Sequence, residues 1–81
     1  MLISLAKQQI GVKSEIKSIK QSGLSNKLVE LGFLVGQTVE VVFTAPFGDP
    51  IAIELNGSVL SMRLEEAETI QVEIVEIQSA L

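Results

Sequence analysis

From Thr38 to Thr44 the chain alternates, with Val39, Val41 and Phe43 set against Glu40, Val42 and Thr44. Period two marks a strand with one face buried. Ile51, Ile53 and Leu55 repeat the pattern. Asn56-Gly57 then reads as a two-residue hairpin turn with positive φ at both positions. The return strand is expected over residues 58–64, with Leu60, Met62 and Leu64 on one side. Glu65-Glu66-Ala67 reads as one helical turn, and residues 69–77 as a last strand with Ile70, Val72 and Ile74 inward. Val75 and Ile77 shift phase, which predicts a bulge or the end of that strand.

Upstream the pattern changes. Residues 1–10 are weakly patterned and fit a short strand or an extended arm. Residues 11–20 carry Val12, Ile16 and Ile19, and the step from Ile16 to Ile19 breaks period two, as a bulged strand does. Leu24, Leu28 and Leu31 recur at i, i+4 and i+7, one apolar stripe on a helix of about two turns. Ser22 or Ser25 can cap its start, and Gly32 can take the left-handed conformation that ends it. Phe33 is expected to tuck back onto that helix. Two prolines, a glycine and an Asp-Pro step make Ala45-Pro46-Phe47-Gly48-Asp49-Pro50 a loop.

The sum is an all-β chain of about five strands, with one short helix inserted after the first. Short strands on short connections avoid open edges by curling up, so a small SH3-like barrel, one domain over residues 1–81, is expected. Of the residues, 47% are hydrophobic, mainly Ile, Val and Leu, enough for a dense core in a chain this small.

Composition removes most chemistry. There is no cysteine and no histidine. Disulfides, thiol nucleophiles, zinc ribbons and the Ser/His/Asp set are therefore excluded, along with the commonest general base. No phosphate-cradling G-x-x-x-x-G-K-[ST] loop is present. Ser14 with Lys17, or Ser22 with Lys27, is the kind of pairing any surface offers. Among carboxylates, Glu65 and Glu68 share a face if their segment is helical, an exposed all-oxygen arrangement suited at most to weak metal binding. No intrinsic cofactor is expected.

The net charge of −4 is uneven: five lysines face two glutamates in residues 1–35, and the acids are concentrated beyond. With a pI of about 4.6 and no aromatics among the lysines, nucleic acid is not the expected partner. No run approaches the length of a membrane span, and the first residues do not read as a signal peptide, so a cytoplasmic location is expected. Asp49, between Gly48 and Pro50, can bond backbone N–H groups and stiffen its loop, leaving Phe47 either as an outward anchor or as a cap on the barrel end.

Four segments resemble the FeoA family: Lys27-Leu-Val-Glu-Leu-Gly-Phe33, Gly36-x-x-Val39-Glu-Val-Val42, the loop Ala45-Pro-Phe-Gly-Asp-Pro50, and Leu60-Ser-Met-Arg-Leu-Glu-Glu-Ala67 with Ile70 and Val72. The likeness runs from about Gly11 to Glu73. The family pattern usually has Arg where Lys27 stands and Pro where Val35 stands, and Lys27 has no forked guanidinium for a bidentate contact. The resemblance implies an SH3-like barrel and an accessory role in ferrous-iron uptake. It also implies cytosolic docking on the membrane transporter FeoB, peripheral to the inner face of the membrane, with no insertion into it. The surface expected to meet FeoB is the helix with its adjoining loop (Leu24, Lys27, Leu28, Phe33) and the rigid loop (Pro46, Phe47, Asp49). The competing reading is a stand-alone transition-metal sensor, since similar domains occur at the C-terminus of iron-dependent repressors. Weak homo-oligomers through the apolar residues 74–81 are a further expectation, and an enzymatic role ranks last.

Overall fold

In the computed structural model, residues 1–20, 23 and 25–75 are described. The Ser22 cap, the Leu24 position and the tail beyond Val75 lie outside them. Six strands form one antiparallel sheet: β1 (Ile3–Ser4), β2 (Lys13–Ile19), β3 (Thr38–Thr44), β4 (Ile51–Leu55), β5 (Ser58–Met62) and β6 (Ile70–Ile74). Their order is β1-β6-β2-β3-β4-β5. A 3₁₀ turn (Leu5–Lys7) follows β1, helix α1 (Ser25–Glu30) lies between β2 and β3, and α2 (Leu64–Ala67) between β5 and β6. Because β1 has only two residues, the expected first strand is β2, and α1 follows it as anticipated.

The curled sheet wraps a core in which Leu5, Ile16, Leu28, Phe33, Ile53, Ile70 and Val72 are fully buried, joined by Val39, Val41, Ile51, Leu55, Met62 and Ala67. The alternation on β4 places Ile51, Ile53 and Leu55 inside, as predicted. Asn56 and Gly57 have φ of 54° and 83°, the pair of positive angles that the two-residue hairpin requires. Gly32 takes φ 102° where α1 ends, and the Phe33 N–H donates to the Leu28 carbonyl at 3.0 Å. That bond turns Phe33 under the helix.

Two bulges set the register. One lies between Ile16 and Ser18 on β2, where the broken period predicted it. The other lies between Val41 and Phe43 on β3. It advances the strand by one residue and turns Phe43 out, so that this residue is 61% exposed where the alternation placed it inside. Leu31 and Ile74, also expected inward, are exposed. Leu31 falls past the end of α1, and Ile74 is the last residue of β6. The return strand stops at Met62, because Leu64 already begins α2.

Candidate functional site: a braced aromatic loop beside a charged recess

The loop between β3 and β4 is held at its base and at its side. The Ala45 N–H donates to the Pro50 carbonyl at 3.0 Å, and the Gly48 N–H to the Ala45 carbonyl at 2.7 Å. Asp49 Oδ1 accepts from the Leu64 N–H at 3.1 Å and lies 3.9 Å from Arg63 Nη1. The loop is thereby tied to the start of α2. The Asp49–Pro50 peptide is cis. At the tip Phe47 is 97% exposed, with Pro46 exposed beside it. Braced in this way, an aromatic ring is presented to solvent instead of capping the barrel.

Next to the loop is a recess of about 250 Å³, lined by Lys27, Pro50, Ser61, Met62, Arg63 and Glu66. Its inner wall is Glu66, whose side chain is only 8% exposed. Lys27 Nζ donates to Glu66 Oε2 at 2.7 Å, and the Arg63 N–H to Oε1 at 2.9 Å. The second bond is half of a capping box at the start of α2. The Lys27 hydrogen bond, then the Arg63 backbone bond, hold the Glu66 carboxyl below its ordinary value, with the Lys27 and Arg63 charges adding to them against the opposing effect of burial. One charge-assisted contact thus joins α1 to α2. A forked guanidinium at position 27 would share Oε1 with the Arg63 backbone N–H.

The residues expected at a contact surface divide into two sets. Pro46, Phe47 and Asp49 come together on the braced loop, and Lys27 stands exposed at the recess beside it. Leu28 and Phe33 do not belong to any surface: both are wholly buried, and they serve by seating α1 on the sheet. This corrects the contact expectation for both and bears out the tuck of Phe33 under the helix; the cause for Leu28 is that a helix of six residues must put its inward side chains into the core to exist at all. Leu24 lies outside the described residues. The sequence points to Glu65 and Glu68, which share a helix face at i and i+3, and not to Glu66 on the buried side. The signal was present in Arg63-x-x-Glu66, a glutamate three residues after a helix start.

Glu65 and Glu68 are both exposed, and neither lines the recess. Among the described residues no three acids converge as metal ligands would. With no imidazole or thiolate in the sequence, the ligands that zinc, copper and iron–sulfur sites favour are absent. No helix among the described residues is long and apolar enough to cross a membrane.

The chain and its fold are similar to known proteins. Residues 3–74 match the FeoA domain family. A Porphyromonas gingivalis protein described as an Fe(2+) transport protein A/Fe(2+) transporter FeoB fusion is 32% identical over 72 residues, which cover 88% of this chain. The matched stretch is 8% of that much longer protein. The structure of a FeoA-like protein from Clostridium acetobutylicum superposes with a TM-score of 0.88 at 32% identity, over 99% of this chain and 94% of that one. The fold is also that of a zinc-complexed FeoA from Stenotrophomonas maltophilia described as an SH3 domain protein, with TM-score 0.77, 22% identity and coverage of 88% and 89%. A manganese-dependent transcriptional repressor complexed with manganese shares the fold at TM-score 0.84 and 14% identity, over 91% of this chain and 37% of that one.

Proposed function

We propose a function from one firm premise: this chain belongs to the FeoA family. That family serves ferrous-iron transport and is not a known enzyme family. In our reading the chain is a cytosolic accessory domain that docks on the FeoB transporter and modulates it, without catalysis and without a metal of its own. Ferrous iron is the transporter's cargo in this scheme. The P. gingivalis fusion supports the choice of partner, since joining two chains in one polypeptide raises their effective concentration for each other.

The observation that carries docking is Phe47. A ring 97% exposed on a loop braced by Asp49 is ready-made as an anchor. It loses little freedom on binding, and burying it in a partner's pocket supplies a large apolar area. The Lys27–Arg63 recess beside it gives the surface its polar rim.

The test is a calorimetric titration of the whole chain against the soluble cytosolic part of FeoB. Binding is expected, and Phe47→Ala should abolish it while the barrel stays folded. Absence of binding at about 100 μM refutes docking, because transient signalling contacts still register at that concentration. The metal-sensor reading predicts a calorimetric signal with Fe²⁺ or Mn²⁺ that Glu65→Gln with Glu68→Gln removes. A flat titration is expected.

A further inference from the structure

The last strand of the sheet, β5, offers a second and more specific contact. Its register with β4 pairs Leu55 with Ser58, Ile53 with Leu60 and Ile51 with Met62. In a two-residue hairpin the residues flanking the turn form the first hydrogen-bonded pair, and such pairs then alternate. Val59 and Ser61 therefore direct their N–H and C=O groups away from β4, to the outside of the sheet. Both residues are exposed. Among the described residues neither has a backbone hydrogen bond to another element.

Proteins usually blunt such an edge with charge, proline, a bulge or brevity. The opposite edge, β1, is blunted by its two-residue length. β5 has five residues, Ser-Val-Leu-Ser-Met, none charged and none proline. Its pairing with β4 also runs without the register shift found in β2/β6 and β3/β4. The strand then leads directly into the recess, where Ser61, Met62 and Arg63 meet Lys27. Among the described residues the Arg63 guanidinium meets a carboxylate only at Asp49, 3.9 Å away, and with 65% of its side chain exposed it has room to take a better acceptor.

Resting on the docking reading above, we propose that β5 receives an extended segment of the FeoB cytosolic part as a seventh strand, with an acidic side chain of that segment seated against Arg63 at the recess. Main-chain bonds to Val59 and Ser61 add affinity to the Phe47 contact, and the recess supplies register and choice of partner. A second copy of this chain is a poorer occupant. Antiparallel β5–β5 pairing brings serine and glycine to Arg63 instead of a carboxylate, and two bodies of net charge −4 repel. Two five-residue strands also bury far less than the roughly 1,200 Å² of a stable interface.

The test uses the full chain, ¹⁵N-labelled, with the soluble cytosolic part of FeoB as probe. Amide exchange at Val59 and Ser61 should slow by about tenfold or more on complex formation. Ser61→Pro removes one outward N–H and no bond to β4, a strand setting in which proline is tolerated. It should weaken binding by about tenfold with the Phe47 contact retained. Ser61→Lys, which keeps the backbone donor but guards the edge, is the companion should the proline variant fail to fold. Arg63→Glu should weaken binding further, and Arg63→Lys should do so less. A complex that leaves exchange at Val59 and Ser61 unchanged overturns strand addition and leaves docking through Phe47 standing. No complex at all overturns both. Protection of these amides in the free chain that grows with its own concentration gives the edge to a second copy and overturns the proposal.

Discussion

Replacing Lys27 by methionine keeps the length of the side chain and deletes its charge. Lys27 is 61% exposed, so its ammonium returns to water at little cost, whereas Glu66, with 8% of its side chain exposed, stays where it is with one hydrogen bond in place of two. A hydrogen bond to a charged group contributes about 1.5–3 kcal/mol, and the exposure of Lys27 discounts this to about 1–2 kcal/mol. For a domain of this size each kcal/mol lowers Tm by about 4–8 °C, so differential scanning calorimetry at neutral pH should show a fall of about 4–16 °C. The pH dependence separates this cause from a general packing defect. The folded pKa of Glu66 is below its ordinary 4.5, so the pair's stabilisation is fully present above 4.5 and is lost as pH falls through the lower folded value. The difference between wild type and Lys27→Met should therefore shrink on acidification below that point. Lys27→Arg should behave as wild type, because one oxygen of Glu66 remains for it. A Tm change under about 1 °C at neutral pH, or a difference that persists undiminished in acid, would refute the reasoning.

Three further outcomes follow from the same geometry. Phe47→Ala should shift stability by no more than about 0.5 kcal/mol in urea unfolding, since the ring touches little of its own protein, while removing transporter binding. Leu28→Ala should cost about 2–5 kcal/mol in the same assay by emptying a wholly buried site. Asp49→Ala should leave the core intact but speed amide exchange at Leu64, whose N–H loses its acceptor, and a cost of about 0.5–1.5 kcal/mol is expected.

The sequence disclosed most of the barrel because its signals were local. Alternation in Ile51, Ile53 and Leu55, the Asn56-Gly57 turn and the broken period at Ile16–Ile19 each need only near neighbours to be read. Phe43 was misplaced because a bulge has no signature in a strand where Val41, Val42 and Phe43 are all apolar and either phase looks plausible. Leu28 and Phe33 carry two expectations, packing and partner contact, and only packing holds; an apolar stripe says that a face is covered, but not whether the cover is the protein's own sheet or a partner. The braced loop was legible in outline, since proline, glycine and aspartate restrict the backbone on their own. Its attachment to Leu64, like the Lys27–Glu66 pair, joins residues far apart in the chain, and no short pattern announces such contacts.

That pair has a consequence for the order of events during synthesis. Lys27 and Glu66 are separated by 39 positions. Helix α1, at six residues, is far too short to persist unaided. A nascent chain that has emerged only as far as β3 therefore carries an unsettled insertion, with Leu28 and Phe33 lacking most of the core that will receive them. The helix gains its clasp only once α2 has left the ribosome. Slowing translation beyond position 67 should leave the first half open to proteases, and releasing that pause should close it in a single cooperative step.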